Sequence, residues 1–88
     1  MRSYKVDIKI PYEEDREKVL AEVRTAIEAV LDEFGFPRDF QLDGIEDAES
    51  GELFRARLSS VDFETAEEIA LRVQVIRGVL MTTFDPDL

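Results

Sequence analysis

The sequence predicts an α+β domain with the order strand–helix–strand–strand–helix–strand. Three observations lead to this prediction. Apolar residues alternate with polar ones in the segments assigned to strands, and they recur at three- and four-residue steps in two longer segments. Glycine, proline and clustered acidic residues separate these segments. Eighty-eight residues suffice for one hydrophobic core, so we expect residues 1–88 to form a single domain.

The first strand and the first helix have the clearest patterns. Alternation from Tyr4 to Ile10 predicts a half-buried strand that Pro11 ends. The acidic residues at 13–15 stand where a helix N-terminus favours negative charge. Gly35 is expected to cap the helix in the left-handed conformation, with Phe36 packing back. The apolar face of this helix comprises Val19, Leu20, Val23, Ile27, Val30, Leu31 and Phe34.

A hairpin is predicted next. Phe40 and Leu42 begin the second strand, and Gly44 marks a plausible bulge. The turn at 47–51 is expected to place Gly51 at a positive φ. The third strand then runs from 53 to 59 with Phe54, Ala56 and Leu58 on one face.

The second helix and the last strand complete the domain. Asp62 is a suitable N-cap, and Arg77 with Gly78 should end the helix. The last strand is predicted over 79–84, followed by a tail at 85–88. The buried face of the helix comprises Ala66, Ile69, Ala70, Val73 and Ile76.

Right-handed crossovers place the first and third strands side by side in the centre of the sheet. The predicted architecture is therefore the ferredoxin-like βαββαβ sandwich, a four-stranded antiparallel sheet of order 4-1-3-2 with both helices on one face. Because this fold hosts many unrelated activities, it does not by itself assign a function.

Composition excludes several functional classes. The chain contains neither cysteine nor histidine, which removes the ligands of zinc and iron–sulfur sites and the usual general base near neutral pH. We therefore expect no metal, no cofactor and no catalytic activity. The net charge of −10 argues against nucleic-acid binding. No segment resembles a signal peptide or a membrane span, so we expect a cytoplasmic protein without a membrane partner.

Two surfaces are candidates for binding. The first is the open face of the central strands, where four cations should gather around Asp7 and bind a protein partner or a small anionic ligand. The alternative is that long basic side chains only shield the bare sheet. The cations are Lys5, Lys9, Arg55 and Arg57.

The second surface is the last strand, which is apolar on both faces and lies at a sheet edge. Val79, Met81 and Thr83 would pair with another chain and form a homodimer. Alternatively, the acidic tail protects this edge and the chain is monomeric. A third cluster is formed by Asp43, Glu46, Asp47, Glu49 and Glu52. Its spacing does not match that of a calcium-binding loop, so it is interpreted as surface charge.

Two resemblances to known families can be described. The segments 50–53, 64–65 and 78–80 are similar to the small maturation chaperones of periplasmic nitrate reductase, which bind a twin-arginine signal peptide on their sheet. The first helix here is longer, and a basic sheet would repel such a peptide. The length, acidity and element order also resemble the archaeal nucleotide-exchange subunit of the elongation factor, without its glycine-rich segment.

We interpret the chain as a small non-catalytic interaction module. The regular capping and patterning also fit a designed scaffold without biological function. Against design stand the irregular features Gln74, Thr82, Thr83 and the connection at Phe36-Pro37.

Overall fold

The computed structural model describes residues 2–87 and contains the six elements in the predicted order. Neighbouring strands are all antiparallel, and the sheet order is β2-β3-β1-β4. This is the predicted order read from the opposite edge, so the ferredoxin-like fold class is confirmed. The elements are β1 (Arg2–Pro11), α1 (Arg16–Phe34), β2 (Phe40–Asp47), β3 (Gly51–Val61), α2 (Phe63–Gln74) and β4 (Met81–Pro86).

The core lies between the sheet and the two helices. Alternate residues of β1 and β3 point into it, because successive side chains of a strand face opposite sides of the sheet. Both central strands are longer than predicted, since pairing continues to Val61 on β3 and to Pro11 on β1. The fully buried large side chains of the core include Val6, Ile8, Ile10, Leu58, Val23, Ile27, Val30, Leu31, Ile69 and Val73.

Helix α1 begins and ends as expected. The carboxylate of Asp15 caps its N-terminus by accepting a hydrogen bond from the Lys18 amide. Gly35 adopts φ 80° as the C-cap, and the Phe36 amide donates to the Leu31 carbonyl at 2.9 Å. The side chain of Phe36 packs against the core. The exception is Phe34, which was expected on the buried face but lies in the last turn with 40% of its surface exposed.

Gly51 closes the β2–β3 hairpin for a reason other than the one predicted. Within residues 2–87, positive φ values occur at Gly35 and Gly78, so the predicted positive φ at Gly51 is wrong. A Cβ atom on Gly51 would lie 2.5 Å from the carbonyl oxygen of Ile10. Glycine is therefore required here because β1 passes too close for any side chain. The bulge predicted at Gly44 is present, as a register shift between Gly44 and Glu46.

The chain from α2 to β4 departs most from expectation. Helix α2 ends at Gln74 with Val75 as C-cap, so the predicted end at Gly78 is wrong. Gly78 lies in the following loop at φ 102°, where a Cβ atom would be 2.6 Å from Val19 Cγ2. Val79 also belongs to this loop and packs against the core. Strand β4 therefore starts later than predicted and takes up the first two residues of the expected tail, Asp85 and Pro86, while Leu88 lies outside the described residues.

Replacing Gly51 with alanine should destabilise the protein, because the new methyl group would collide with the Ile10 backbone. Overpacking of this kind costs about 1–3 kcal/mol in free energy of unfolding. Gly44→Ala is the matched control, since its nearest neighbour is the movable carboxylate end of Glu52 at 3.3 Å. Urea denaturation of both variants measures the difference, and equal stability of the two would contradict the close-contact explanation.

Asp62 should make stability depend on pH. It caps α2 through hydrogen bonds from the side chain and backbone of Thr65, which lower the pKa of the carboxyl group. A pKa below the unfolded value of about 3.9 means that the stabilisation is present above that pH and is lost as the pH falls. Asp62→Ala should therefore lower the melting temperature at pH 7 more than at pH 3. Thermal unfolding at both pH values checks this. An equal decrease in melting temperature at pH 7 and pH 3 would mean that the negative charge of Asp62 does not contribute to the cap.

Candidate functional site

The open face of the sheet gathers the four cations predicted from the sequence. Lys5 lies opposite Arg57 in the β1–β3 register, and Asp7 lies opposite Arg55. Directly opposed residues of an antiparallel pair point to the same side of the sheet. Lys9 follows on the same face, with Leu53 of β3 as its neighbour. The sheet therefore brings Lys5, Lys9, Arg55 and Arg57 together, on the side away from the helices.

Arg55 is already neutralised within the face. Its Nε donates to Asp7 Oδ1 at 2.7 Å and its second nitrogen donates to Asp7 Oδ2 at 3.0 Å. The hydrogen bond to Asp7 raises the pKa of Arg55, against the opposing effect of desolvation. Both side chains are about three-quarters covered. This bidentate pair holds the centre of the sheet together and leaves Arg55 with little capacity for an external ligand.

The outer strands add carboxylates that the sequence analysis did not place on this face. Asp43 of β2 lies opposite Arg55, and Asp85 of β4 lies opposite Lys5. Glu46 and Asp87 contribute further negative charge, which acts on Arg55. The face thus carries four cations and five carboxylates and is close to neutral. The alternation along β2 and β4 shows which of their residues share a face. Placing those residues beside Arg55 and Lys5 also requires the register of β2 on β3 and of β4 on β1.

Lys5 and Arg57 lie side by side at one end of the face. Among residues 2–87, no carboxylate lies within ion-pair distance of the Lys5 or Lys9 ammonium groups. Arg57 has one distant partner, with 3.9 Å between its Nε and Asp87 Oδ2. A hollow of about 220 Å³ adjoins Arg57; its polar lining includes Ser3, Gln41 and Ser59 together with the carboxylates of Asp39 and Asp87. This end offers positive charge together with hydrogen-bonding groups.

The predicted edge residues are only partly brought together. Met81 and Thr83 lie on β4 opposite Lys9 and Asp7, and both are exposed. Val79 precedes the strand and its side chain packs on the core, so it is not part of the exposed edge. Leu80 is exposed instead, and its amide donates to the Lys9 carbonyl at 2.8 Å.

Other features of the surface offer less chemistry. Two larger hollows, of about 410 and 380 Å³, lie along the outer side of α1 and at the β1–α1 loop. The first is mainly apolar, with three alanines and Ile76 in its lining, and four of the eight residues that line the second are acidic. Within residues 2–87, no group of three or more acidic side chains could hold a metal ion. In the same range, neither helix is both long and apolar enough to cross a membrane.

The comparisons with known proteins support the fold. The C-terminal domain of the MgtC protein from Mycobacterium tuberculosis superposes with a TM-score of 0.66 and 13% sequence identity, over 99% of this chain and 88% of that one. An uncharacterized protein from Thermotoga maritima, TM1266, gives a TM-score of 0.57 at 23% identity, over 97% and 95% of the two chains. No family model and no curated protein sequence matches this chain. At these identities the likeness establishes a shared small α+β fold and nothing about ligands.

The Asp7–Arg55 pair should show measurable coupling in a double-mutant cycle. Asp7→Asn and Arg55→Gln should together cost less than the sum of the single changes, by about 0.5–1 kcal/mol in free energy of unfolding. Urea denaturation of the four proteins gives this value. A control cycle combining Asp7→Asn with Arg77→Gln should be additive, because Arg77 lies on the helix side beside Val19. Additivity in both cycles would mean that the pair contributes no net stability.

Proposed function

We propose that this domain is a non-catalytic interaction module whose open sheet face binds a carboxylate or phosphate group of a protein partner or small ligand. The binding site is the end of the face where Lys5 and Arg57 lie directly opposite each other. Like charges at such a position destabilise a sheet unless a counter-charge is supplied. Asp85 lies across from Lys5, and Asp87 is at the limit of contact with Arg57, so the compensation within residues 2–87 is incomplete.

The neighbouring groups suit an anion. Arg57 is about half exposed, and its planar guanidinium can donate two parallel hydrogen bonds to a carboxylate or phosphate. The hydroxyl group of Ser59 and the amide of Gln41 line the adjoining hollow and can donate further hydrogen bonds, whereas the Ser3 hydroxyl already donates to the Ser59 carbonyl. Lys5 adds a second charge on a flexible stem. Bound oxygen atoms would therefore meet donors from three neighbouring strands.

Two acidic residues outside the open face have structural hydrogen bonds of a kind that does not suit a general base. A general base near neutral pH requires a carboxyl group whose pKa is raised by burial or by a second acid. The pKa values of the Asp32 and Asp62 carboxyl groups are displaced downwards. For Asp32 the main cause is the hydrogen bond from Arg38, and for Asp62 it is the bond from Thr65. Both groups therefore remain ionised and serve structural roles.

The same face is a poor platform for nucleic acid. Proteins of this fold that bind single-stranded RNA stack bases on exposed aromatic rings of the sheet. The corresponding outward positions of β3 hold Leu53, Arg55 and Arg57. With a net charge of −10, the chain would also repel a polyphosphate backbone at long range. A ligand with one or a few anionic groups fits this surface better.

Replacing Lys5 and Arg57 with glutamine should weaken anion binding at least about tenfold, since hydrogen bonds to charged groups contribute about 1.5–3 kcal/mol each. Inorganic phosphate and a tetraglutamate peptide serve as probes in NMR titrations of the ¹⁵N-labelled chain. In the unmodified protein, the largest shifts should occur at the amides around Lys5 and Arg57 and should diminish at high salt.

The matched control is Lys18→Gln with Arg77→Gln, which removes the same charge from the helix side. This variant should retain the affinity of the unmodified protein for both probes. Equal weakening in the two double variants would indicate only a general charge effect. The absence of localised shifts with either probe would contradict anion binding at this face.

A further inference from the structure

Strand β4 leaves one edge of the sheet open to pairing. The Asp87 amide donates a hydrogen bond to the Ser3 carbonyl at 2.8 Å, so the backbone groups of Asp87 face β1. In an antiparallel ladder the backbone N–H and C=O groups of successive residues point alternately towards and away from the neighbouring strand. The N–H and C=O groups of Thr82 and Phe84 therefore point away from β1, towards solvent. No charged residue occurs between Gly78 and Asp85.

The opposite edge of the sheet is protected. Strand β2 contains the register shift between Gly44 and Glu46, and a bulge interrupts a regular row of donors and acceptors. Its exposed side chains Asp43, Glu46 and Asp47 would also repel an incoming acidic strand. The two edges thus differ in the features that prevent edge-to-edge association: β4 pairs with β1 without a register shift, and its charge and its proline stand at its end, at Asp85 and Pro86.

We propose that two copies of this chain associate through β4, pairing antiparallel about a two-fold axis at Thr83, and form one continuous sheet of eight strands. Thr82 then lies opposite Phe84 of the partner subunit, and each donates to and accepts from the other. Both sets of helices lie on the same side of the joined sheet. The inference is independent of anion binding, because the new hydrogen bonds form at the outer edge of β4 in the plane of the sheet, whereas the anion site lies on its face.

The available backbone groups determine the register. Pro86 has no N–H group, and the N–H of Leu80 is already bonded to Lys9. Centring the axis on Thr82 would leave the Phe84 carbonyl opposite Leu80, whose donor is occupied. Centring it on Phe84 would leave the Thr82 carbonyl opposite Pro86, which has no donor. Of these three registers, the one centred on Thr83 satisfies both groups of both residues.

Charge favours the same register. Asp85 would lie opposite Met81 of the partner subunit, which is next to the partner's Lys9 in the β1–β4 register. The two copies of Asp85 would be four strand residues apart, roughly 14 Å along the strands. This exceeds the Debye length of about 8 Å at physiological ionic strength, so their repulsion is screened. The closest pair is Thr83 with Thr83 of the partner subunit, an uncharged contact favourable in sheets.

The helix side of the edge supplies apolar surface. Phe63 is 54% exposed, and its ring centroid lies 5.5 Å from that of Phe84. Phe84 also contacts Tyr4, with 6.4 Å between ring centroids. Pairing about Thr83 brings the two Phe84 residues to the same side of the joined strands, so the exposed Phe63 rings lie at the border of the interface. On the open side of the sheet, Met81 is also more than half exposed and adds apolar surface to the same edge.

The test is sedimentation equilibrium of the purified chain from about 10 µM to 1 mM, a range suited to a small interface. The unmodified chain should reach twice its monomer mass. Thr83→Lys should weaken dimerisation at least tenfold, because it places two ammonium groups opposite each other at the axis. Thr25→Lys makes the same substitution on the exposed side of α1, away from both sheet edges, and should dimerise like the unmodified chain.

A charge-swap mixture separates a lost interface from a damaged fold. Thr83→Glu alone should also be monomeric, whereas an equimolar mixture of Thr83→Lys and Thr83→Glu should form heterodimers, more strongly at low salt. A monomer at 1 mM for the unmodified chain would overturn the proposal. Dimerisation of Thr83→Lys at the unmodified affinity, or failure of the mixture to associate when both variants melt cooperatively, would overturn it as well.

Discussion

The antiparallel register of β1 on β3 is the constraint on which the rest of the structure depends. It places Val6 opposite Ala56 and Ile8 opposite Phe54 on the helix side, and Asp7 opposite Arg55 on the open side. Because side chains alternate with a period of two, a slip of one residue would turn the charged side chains into the core. The buried apolar side and the bidentate pair therefore enforce the same register from opposite faces. The end of the ladder is fixed by Gly51, which alone permits the approach of the Ile10 carbonyl.

The two helices cover one face, and this decides which residues remain available for binding. Arg72 contacts Glu68 on its own helix and Glu33 on α1, so the helices are held to each other as well as to the sheet. The two helices carry eight of the 21 acidic residues of the chain. The open face is left to long polar side chains, whose apolar stems cover the sheet while their charged ends stay in water. Any partner of the sheet must therefore recognise charge rather than an apolar patch.

Most of the fold could be predicted from the sequence, because the patterns that determine its helices and strands involve residues close together in the chain. The alternation around Val6 and Phe54, and the caps at Asp15, Gly35 and Asp62, depend on neighbours within a few residues. The roles of Gly51 and Gly78 could not be predicted, since each is set by contact with a distant segment, at Ile10 and at Val19. The four cations of the site were predicted because alternation places them on one face. The neutralising carboxylates of β2 and β4 were missed, because their positions depend on register across strands.

The charge distribution connects the two proposed interactions. The chain carries a net charge of −10, yet the open face is close to neutral and the β4 edge has no charge from Val79 to Phe84. Two copies, or a copy and an anionic ligand, would repel each other in most orientations, and beyond about 8 Å that repulsion is screened. Close approach is therefore least unfavourable at these two surfaces. Pairing through β4 would keep Lys5 and Arg57 exposed in both copies, because these residues lie on the face of the sheet and the new hydrogen bonds form in its plane. A dimer would thus present two anion sites on one continuous face, and a partner with two acidic groups at matching separation would bind more tightly than one with a single group.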